Sequence, residues 1–277
     1  MPWIPRGLRN GIVTSGYPRK PDGYGAGFRG TVEVNSDRAA RVTQDVMDAC
    51  PTRAITVEDS NIRLDRGKCV LCGRCVSMAP QVFRFSELFA TSNFDRPSLV
   101  VPKLDDNASN LDTVRDSLAR RVKSLRRSVH VRHVDAGSDG SDEWEVAALT
   151  NPVYDVQRLG IYFTASPRHA DVLLVTGAGA TGMAESLQHT FNVMPEPKVV
   201  VAAGIEAISG GLLADGYVTR EGVGSVLNVD VYVPGSPASP FGLLHGLLMA
   251  VNLLPGAPNR ANASAESEAP NTWREAT

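Results

Sequence analysis

Four cysteines, Cys50, Cys69, Cys72 and Cys75, fall within 26 residues of this 277-residue chain, and there are no others. A disulfide framework belongs to secreted chains. The opening Met1-Pro2-Trp3-Ile4-Pro5-Arg6 has neither the apolar core of a signal peptide nor a twin-arginine leader. Metal binding, redox chemistry or coincidence are what remain. Cys69-x-x-Cys72-x-x-Cys75 sets three thiolates along one tight loop, and a 4Fe–4S cubane needs that arrangement. Three of its iron corners face one side of the peptide, and the fourth must be reached from elsewhere.

The bacterial ferredoxin motif extends this triple by x-x-x-Cys-Pro, whose cysteine serves a second cluster. Here that position reads Ala79-Pro80, so the triple lends nothing outward. Its own fourth ligand is expected at Cys50-Pro51, with 18 residues between Cys50 and Cys69. A second triple is missing, because the upstream positions hold Ala39, Val42 and Asp45. Four thiolates then close on one 4Fe–4S cluster. The rivals are zinc, which usually uses two separated Cys-x-x-Cys knuckles, a three-iron cluster, or no metal.

Apolar residues make up 43% of the chain and charged residues 21%, with a net charge of −2, which argues against a nucleic-acid partner. The longest nearly apolar run, Phe241 to Leu254, is too short to span a bilayer and is interrupted by Gly242, His245 and Gly246. The expectation is a cytoplasmic protein that can sit on a membrane complex as a peripheral part.

Residues 1–30, rich in Gly, Pro and Arg, read as an extended arm that wraps a partner or the body. A helix is expected over 36–50 with Asp37 as its cap, and a hairpin over 54–64 turning at Ser60-Asn61. Residues 85–104 read as irregular or weakly extended. Leu111 to Arg127 reads as a helix with acids first and bases last. It is either a solvated face or a dock for an acidic partner or lipid head groups. From residue 128 strands and helices alternate: strands at 128–134, 171–176, 198–203 and 228–233, a helix and loop over 151–166, and helices at 183–191 and 241–254. That alternation predicts a parallel sheet covered on both faces. Residues 256–277 have the composition of a disordered tail.

Several ordered motifs resemble a known family. Arg6-Gly7-Leu8, Gly11 to Thr14, Tyr17-Pro18 and Gly27-Phe28-Arg29-Gly30 resemble the start of ferredoxin-type subunits of group 4 energy-converting NiFe hydrogenases. His133 to Ser138, Asn151 to Asp155, Ala165 to Asp171, Met194 to Lys198 and Val231 to Gly235 resemble the small subunit of those enzymes. That subunit is related to the quinone-proximal subunit of complex I. The resemblance implies a small α+β ferredoxin-like domain over 31–100, a helical linker over 101–127, and an α/β, flavodoxin-like domain over 128–255.

The resemblance also implies a proximal 4Fe–4S cluster in the second domain, and here the chain departs from the pattern. Where the family has cysteines, this sequence has Asp139, Asp142, Glu206 and Ser236. Oxygen ligands are hard and poorly matched to iron–sulfur chemistry. The site is either a degenerate pocket or a carboxylate group that holds a hard cation or a proton. Arg168 and His169 are the expected basic neighbours. Gly177-Ala-Gly179-Ala-Thr-Gly182 has the textual form of a dinucleotide fingerprint, although a tight strand-to-helix turn accounts for it better. His130 and His133 are expected to face solvent or a partner.

The reading is therefore an electron-transfer or accessory subunit with one 4Fe–4S cluster and no autonomous active site. It would sit at the inner face of the cytoplasmic membrane through a hydrogenase-like large subunit and membrane subunits. A non-catalytic scaffold and a nucleotide-binding oxidoreductase are the alternatives.

Overall fold

The computed structural model describes residues 3–20, 27–37, 42–58, 61–102, 108–125 and 128–254. The expected tail at 256–277, the Ser60 half of the hairpin turn, Ala39 and the end of the basic helix at Arg126-Arg127 lie outside them.

The first unit is small and α+β. Strand β1 (Thr31–Val34) pairs antiparallel with β4 (Phe83–Ser86), and β2 (Ile55–Glu58), β3 (Asn61–Asp65) and β5 (Val100–Val101) form a second antiparallel sheet. Short helices α2 (Gln44–Asp48) and α3 (Arg74–Met78) carry the chain between them. Strand β3 alternates as the two-residue period requires: Ile62 and Leu64 are buried while Asn61 is exposed. These two aliphatic side chains meet Val32, Val46, Val82 and Phe83 in one core, and Cys75 belongs to that core. The helix expected over 36–50 is shorter than the sequence suggests, because α2 begins only after Thr43.

The second unit is a five-stranded parallel sheet in the order β10-β9-β8-β6-β7. Its strands are β6 (Val129–Asp135), β7 (Ile161–Phe163), β8 (Val172–Thr176), β9 (Val199–Ala203) and β10 (Val231–Val233). Counted from β6, this is the flavodoxin-like order, with the topological switch between β6 and β8. Every residue of β8 and β9 is buried, as central parallel strands covered on both faces should be. Helices α5 (Ser141–Ala148), α6 (Thr181–Asn192), α7 (Gly204–Ser209) and α8 (Pro240–Ala250) complete the layers. The apolar run at 241–254 is thereby explained: all of α8 is buried against the sheet. Among the described residues no helix is long and apolar enough to cross a membrane.

Three segments depart from the sequence reading. The 151–166 stretch yields strand β7, because Ile161 to Phe163 pair in parallel with Val129 to Val131. The N-terminal arm opens with a helix, α1 (Trp3–Asn10). The irregular 85–104 stretch clasps the two units together. Asn93 forms an antiparallel bridge with Tyr232 of β10, Phe94 and Leu99 enter the second unit's two cores, and Arg96 makes a bidentate pair with Asp65 at 2.7 and 2.6 Å. Asn93 so caps one edge of the sheet, where an unpaired strand would otherwise be open to other chains.

The basic helix is α4 (Ala108–Arg121), and packing accounts for it. Leu118, with Val122 just beyond the helix, joins the second unit's core, Arg121 pairs with Asp230, and Arg115 pairs with Asp112 and Asp116. Two of its three arginines, Arg115 and Arg121, are thus engaged within the chain.

Candidate functional site

The four thiols meet. Cys50, Cys69, Cys72 and Cys75 line one pocket, with Val32, Ile55 and Leu64 behind them. Their position follows from backbone geometry. Leu71 has φ +54° and Gly73 φ +77°, so the Cys69–Cys75 loop turns twice through the left-handed region. At Gly73 a Cβ would also sit 3.0 Å from the Phe85 ring, which favours glycine there. Cys50 is brought across from the end of α2, and the Ala54 N–H donates to its Sγ at 3.3 Å.

Burial dominates the chemistry of the inner thiols. It pushes Cys69 up to about 12 and Cys75 up to about 11, while hydrogen bonds from the Leu71 and Val76 backbone act in the opposite direction. The other cysteines raise both further, since each resists a second negative charge nearby. Four thiolates can coexist here only with a compensating cationic group. Among the described residues no three His, Cys, Asp or Glu side chains are gathered tightly enough to hold one metal ion. A four-iron cluster makes a different demand, because each sulfur binds its own iron corner. Four soft donors, backbone N–H groups on the sulfurs and apolar walls fit that group. Cys72 is exposed and Cys75 is buried, so the pocket has one side toward solvent.

The second candidate region is the carboxyl-end edge of the parallel sheet, where open α/β sheets place their ligands. Asp139 and Asp142 follow β6, Glu206 follows β9 and Ser236 follows β10. The structure brings three of the loops into contact. The Asp139 N–H donates to Glu206 Oε2 at 3.3 Å, and the Ala238 N–H, two residues past Ser236, donates to Asp142 Oδ1 at 2.8 Å. The Ile205 N–H donates to the Gly235 carbonyl at 2.9 Å. Asp142 is 2% exposed, and its Oδ2 lies so close to Gly204 that a Cβ there would be 1.9 Å away. Ser236 opens instead onto a cleft of about 460 Å³ that it shares with Leu71, Arg29, Phe89 and Tyr154. The cysteine loop and Ser236 thus border the same cleft.

These acids do not titrate alike. Asp139 is held below the usual carboxylate range by the hydroxyl and N–H of Ser141, at 2.6 and 2.8 Å. Burial pushes Asp142 up to about 7 despite the Ala238 N–H, with Glu143, Glu206 and Asp139 adding to the rise. Burial, then Asp139, raises Glu206. The charges acting on Asp142 are all acidic. The expectation that Arg168 and His169 flank these acids is corrected by topology. Pro167–His169 form a turn just before β8, at the amino-end edge of the sheet, whereas the acids lie beyond the carboxyl ends.

Sequence reasoning missed Glu143. It accepts from the Ser138 hydroxyl at 2.8 Å and from the Thr176 hydroxyl, and Thr176 is 2.9 Å from His133 Nε2. His133 therefore points into the fold rather than to solvent, and burial lowers its basicity. The glycine-rich loop behaves as a tight turn: Gly177 has φ +79°, and a Cβ there would lie 2.7 Å from the Gly137 carbonyl carbon.

The profile of the "NADH ubiquinone oxidoreductase, 20 Kd subunit" family matches residues 140–250. The chain is 34% identical over 148 residues to the probable membrane-bound hydrogenase subunit mbhJ of Pyrococcus furiosus, covering 89% of that protein and 53% of this one. This chain belongs to the 20 kDa NADH–ubiquinone oxidoreductase subunit family. It is also 36% identical over 143 residues to formate hydrogenlyase subunit 7 of Escherichia coli, 52% of this chain and 56% of that one. With an NADH-quinone oxidoreductase subunit of Rubrobacter xylanophilus it shares 47% identity over 95 residues, 34% of this chain and 38% of that one. The chain thus spans little more than half of the formate hydrogenlyase subunit. The family match begins at Gly140, so the cysteine-bearing unit lies outside it.

Proposed function

We propose that this chain carries one 4Fe–4S cluster on Cys50, Cys69, Cys72 and Cys75. It serves as an electron-transfer or accessory subunit of a membrane-associated oxidoreductase related to group 4 NiFe hydrogenases and complex I. The observation that carries this reading is the convergence of all four thiols on one largely apolar pocket, with two of them too buried to ionise unaided. Its partners are a hydrogenase-like large subunit and membrane subunits, in keeping with the membrane-bound hydrogenase and formate hydrogenlyase relatives. It is peripheral there, on the inner face of the cytoplasmic membrane.

When bound, such a cluster stores and passes one electron at a time. The residues of this chain do the rest. Val32, Ile55 and Leu64 exclude water from the inner side, Ala54 supports the Cys50 sulfur, and the exposed Cys72 side gives electrons a way in or out. Asp139, Asp142, Glu206 and Ser236 supply no thiolate, so the usual proximal relay is absent and electrons take another route.

The test is iron and acid-labile sulfide per chain after anaerobic purification, with electron paramagnetic resonance of the reduced protein. About four irons are expected from a single cubane. About eight would place a second cluster on the carboxylate positions, and an iron-free protein would end the reading. A cluster that no reductant reduces reversibly would leave only a structural scaffold.

A further inference from the structure

Among the described residues nothing covers helix α1. None of its residues is buried, and Trp3, Ile4 and Leu8 are 68%, 46% and 81% exposed. Just beyond it Ile12 is 94% exposed. An eight-residue helix containing Pro5 and Gly7 is marginal in water by itself, because the nucleation cost is spread over too few hydrogen bonds. A surface that covers the apolar side would supply what is missing.

The residue pattern says what kind of surface. At about 100° per residue, Trp3, Ile4, Gly7 and Leu8 share one arc of roughly 140°, and Arg6 and Arg9 fall opposite. Residues 3–20 contain Arg6, Arg9, Arg19 and Lys20 and no acid. A tryptophan and aliphatics on one side, arginines on the other and little overall hydrophobicity are the signature of a helix lying in a bilayer interface. A protein groove would supply apolar area but no reason for uniform positive charge, whereas anionic head groups attract it. The segment is also tethered at its far end. The Thr14 hydroxyl donates to the Pro152 carbonyl at 2.7 Å, the Ser15 N–H donates to the Val153 carbonyl at 2.9 Å, and Tyr17 is buried against His245. The helix therefore projects from a fixed point on the second unit.

We infer that α1 is an interfacial anchor, which lays Trp3, Ile4 and Leu8 into an anionic lipid surface and keeps Arg6 and Arg9 among the head groups. This contact belongs to the chain itself and is separate from the partner contacts of the proposed function. Iron content and lipid binding are independent readouts, so failure of one leaves the other standing.

The experiment is flotation of the full cluster-loaded chain with vesicles of phosphatidylcholine containing about a third phosphatidylglycerol, compared with phosphatidylcholine alone. Binding to the anionic vesicles is expected, with release at high salt. Arg6→Gln with Arg9→Gln should weaken it roughly twenty-fold or more, as two head-group contacts imply. Ile4→Glu with Leu8→Glu should abolish it while leaving the far-ultraviolet circular dichroism and thermal midpoint unchanged, which shows that the variant is folded. No flotation with anionic vesicles would overturn the inference. So would flotation unaltered by the Glu pair, equal binding to neutral vesicles, or capture only by membranes that contain partner subunits.

Discussion

Asp142 offers a direct measure of what a buried carboxylate costs at this edge of the sheet. Its carboxyl moves from an ordinary 3.8 to about 7 because it is buried, which corresponds to roughly 4 kcal/mol of disfavoured ionisation. Below pH 4 the group is protonated in both folded and unfolded chains and contributes no pH dependence. Between about pH 4 and 7 the folded state binds the proton more tightly, so stability falls as pH rises. Above pH 7 the loss is complete. Asp142→Asn keeps an oxygen for the Ala238 N–H and cannot ionise. At pH 8 the variant should therefore exceed the parent by up to about 4 kcal/mol, a shift of roughly 8–16 °C in thermal midpoint for a chain of this size. At pH 4 the two should melt together. The assay is anaerobic thermal unfolding of both cluster-loaded proteins from pH 4 to 8, read as the difference between them so that other titrating groups cancel. A difference independent of pH, or a parent more stable than the variant at pH 8, would refute the reasoning.

Three further outcomes follow from the geometry. Cys69→Ala should abolish iron binding altogether, since it removes a deeply placed ligand, and iron analysis showing near-full loading would take Cys69 out of the site. Tyr17→Phe removes the 2.7 Å hydrogen bond to His245 Nδ1, whose Nε2 has no partner among the described residues. It should cost about 1–3 kcal/mol in urea unfolding, and a neutral result would mean that the pair is solvated. Gly204→Ala adds a Cβ 1.9 Å from Asp142 Oδ2 at a φ of +84°. A loss of about 2 kcal/mol or more is expected, and a thermal midpoint within a degree of the parent would show that the Asp142 loop yields freely.

What could be read from the sequence was what is encoded locally. The cysteine pocket needs only spacing, and the Cys50-Pro51 assignment needs only the neighbouring motif. Strands β8 and β9 announce themselves as continuous apolar runs. Strand β7 does not, because Ile161 to Phe163 owe their strand character to pairing with β6, and the preceding Val156–Leu159 turn looks helical. Helix α1 is only two turns long and contains a proline and a glycine, so no period emerges from it. The Tyr17–His245 pair joins residues 228 apart, beyond the reach of any pattern. The placement of Arg168 and His169 failed for a related reason. Nearness in sequence to a strand does not say which end of the sheet a loop occupies, and only strand direction settles that.

The carboxyl-end edge of the parallel sheet poses a problem of cohesion. Loops that follow different strands meet there, and with nothing to tie them the edge would be loose. Here acidic side chains tie those loops by hydrogen bonds. Glu206 reaches the Asp139 N–H, joining the loop after β9 to that after β6, and Asp142 reaches the Ala238 N–H, joining α5 to the loop after β10. Apolar side chains could fill the space, but they could not satisfy the buried Ala238 N–H, and an unsatisfied buried donor costs about 1–3 kcal/mol. Carboxylates accept from both N–H groups, while burial holds Asp142 and Glu206 less acidic. The acids therefore act as cross-links between these loops.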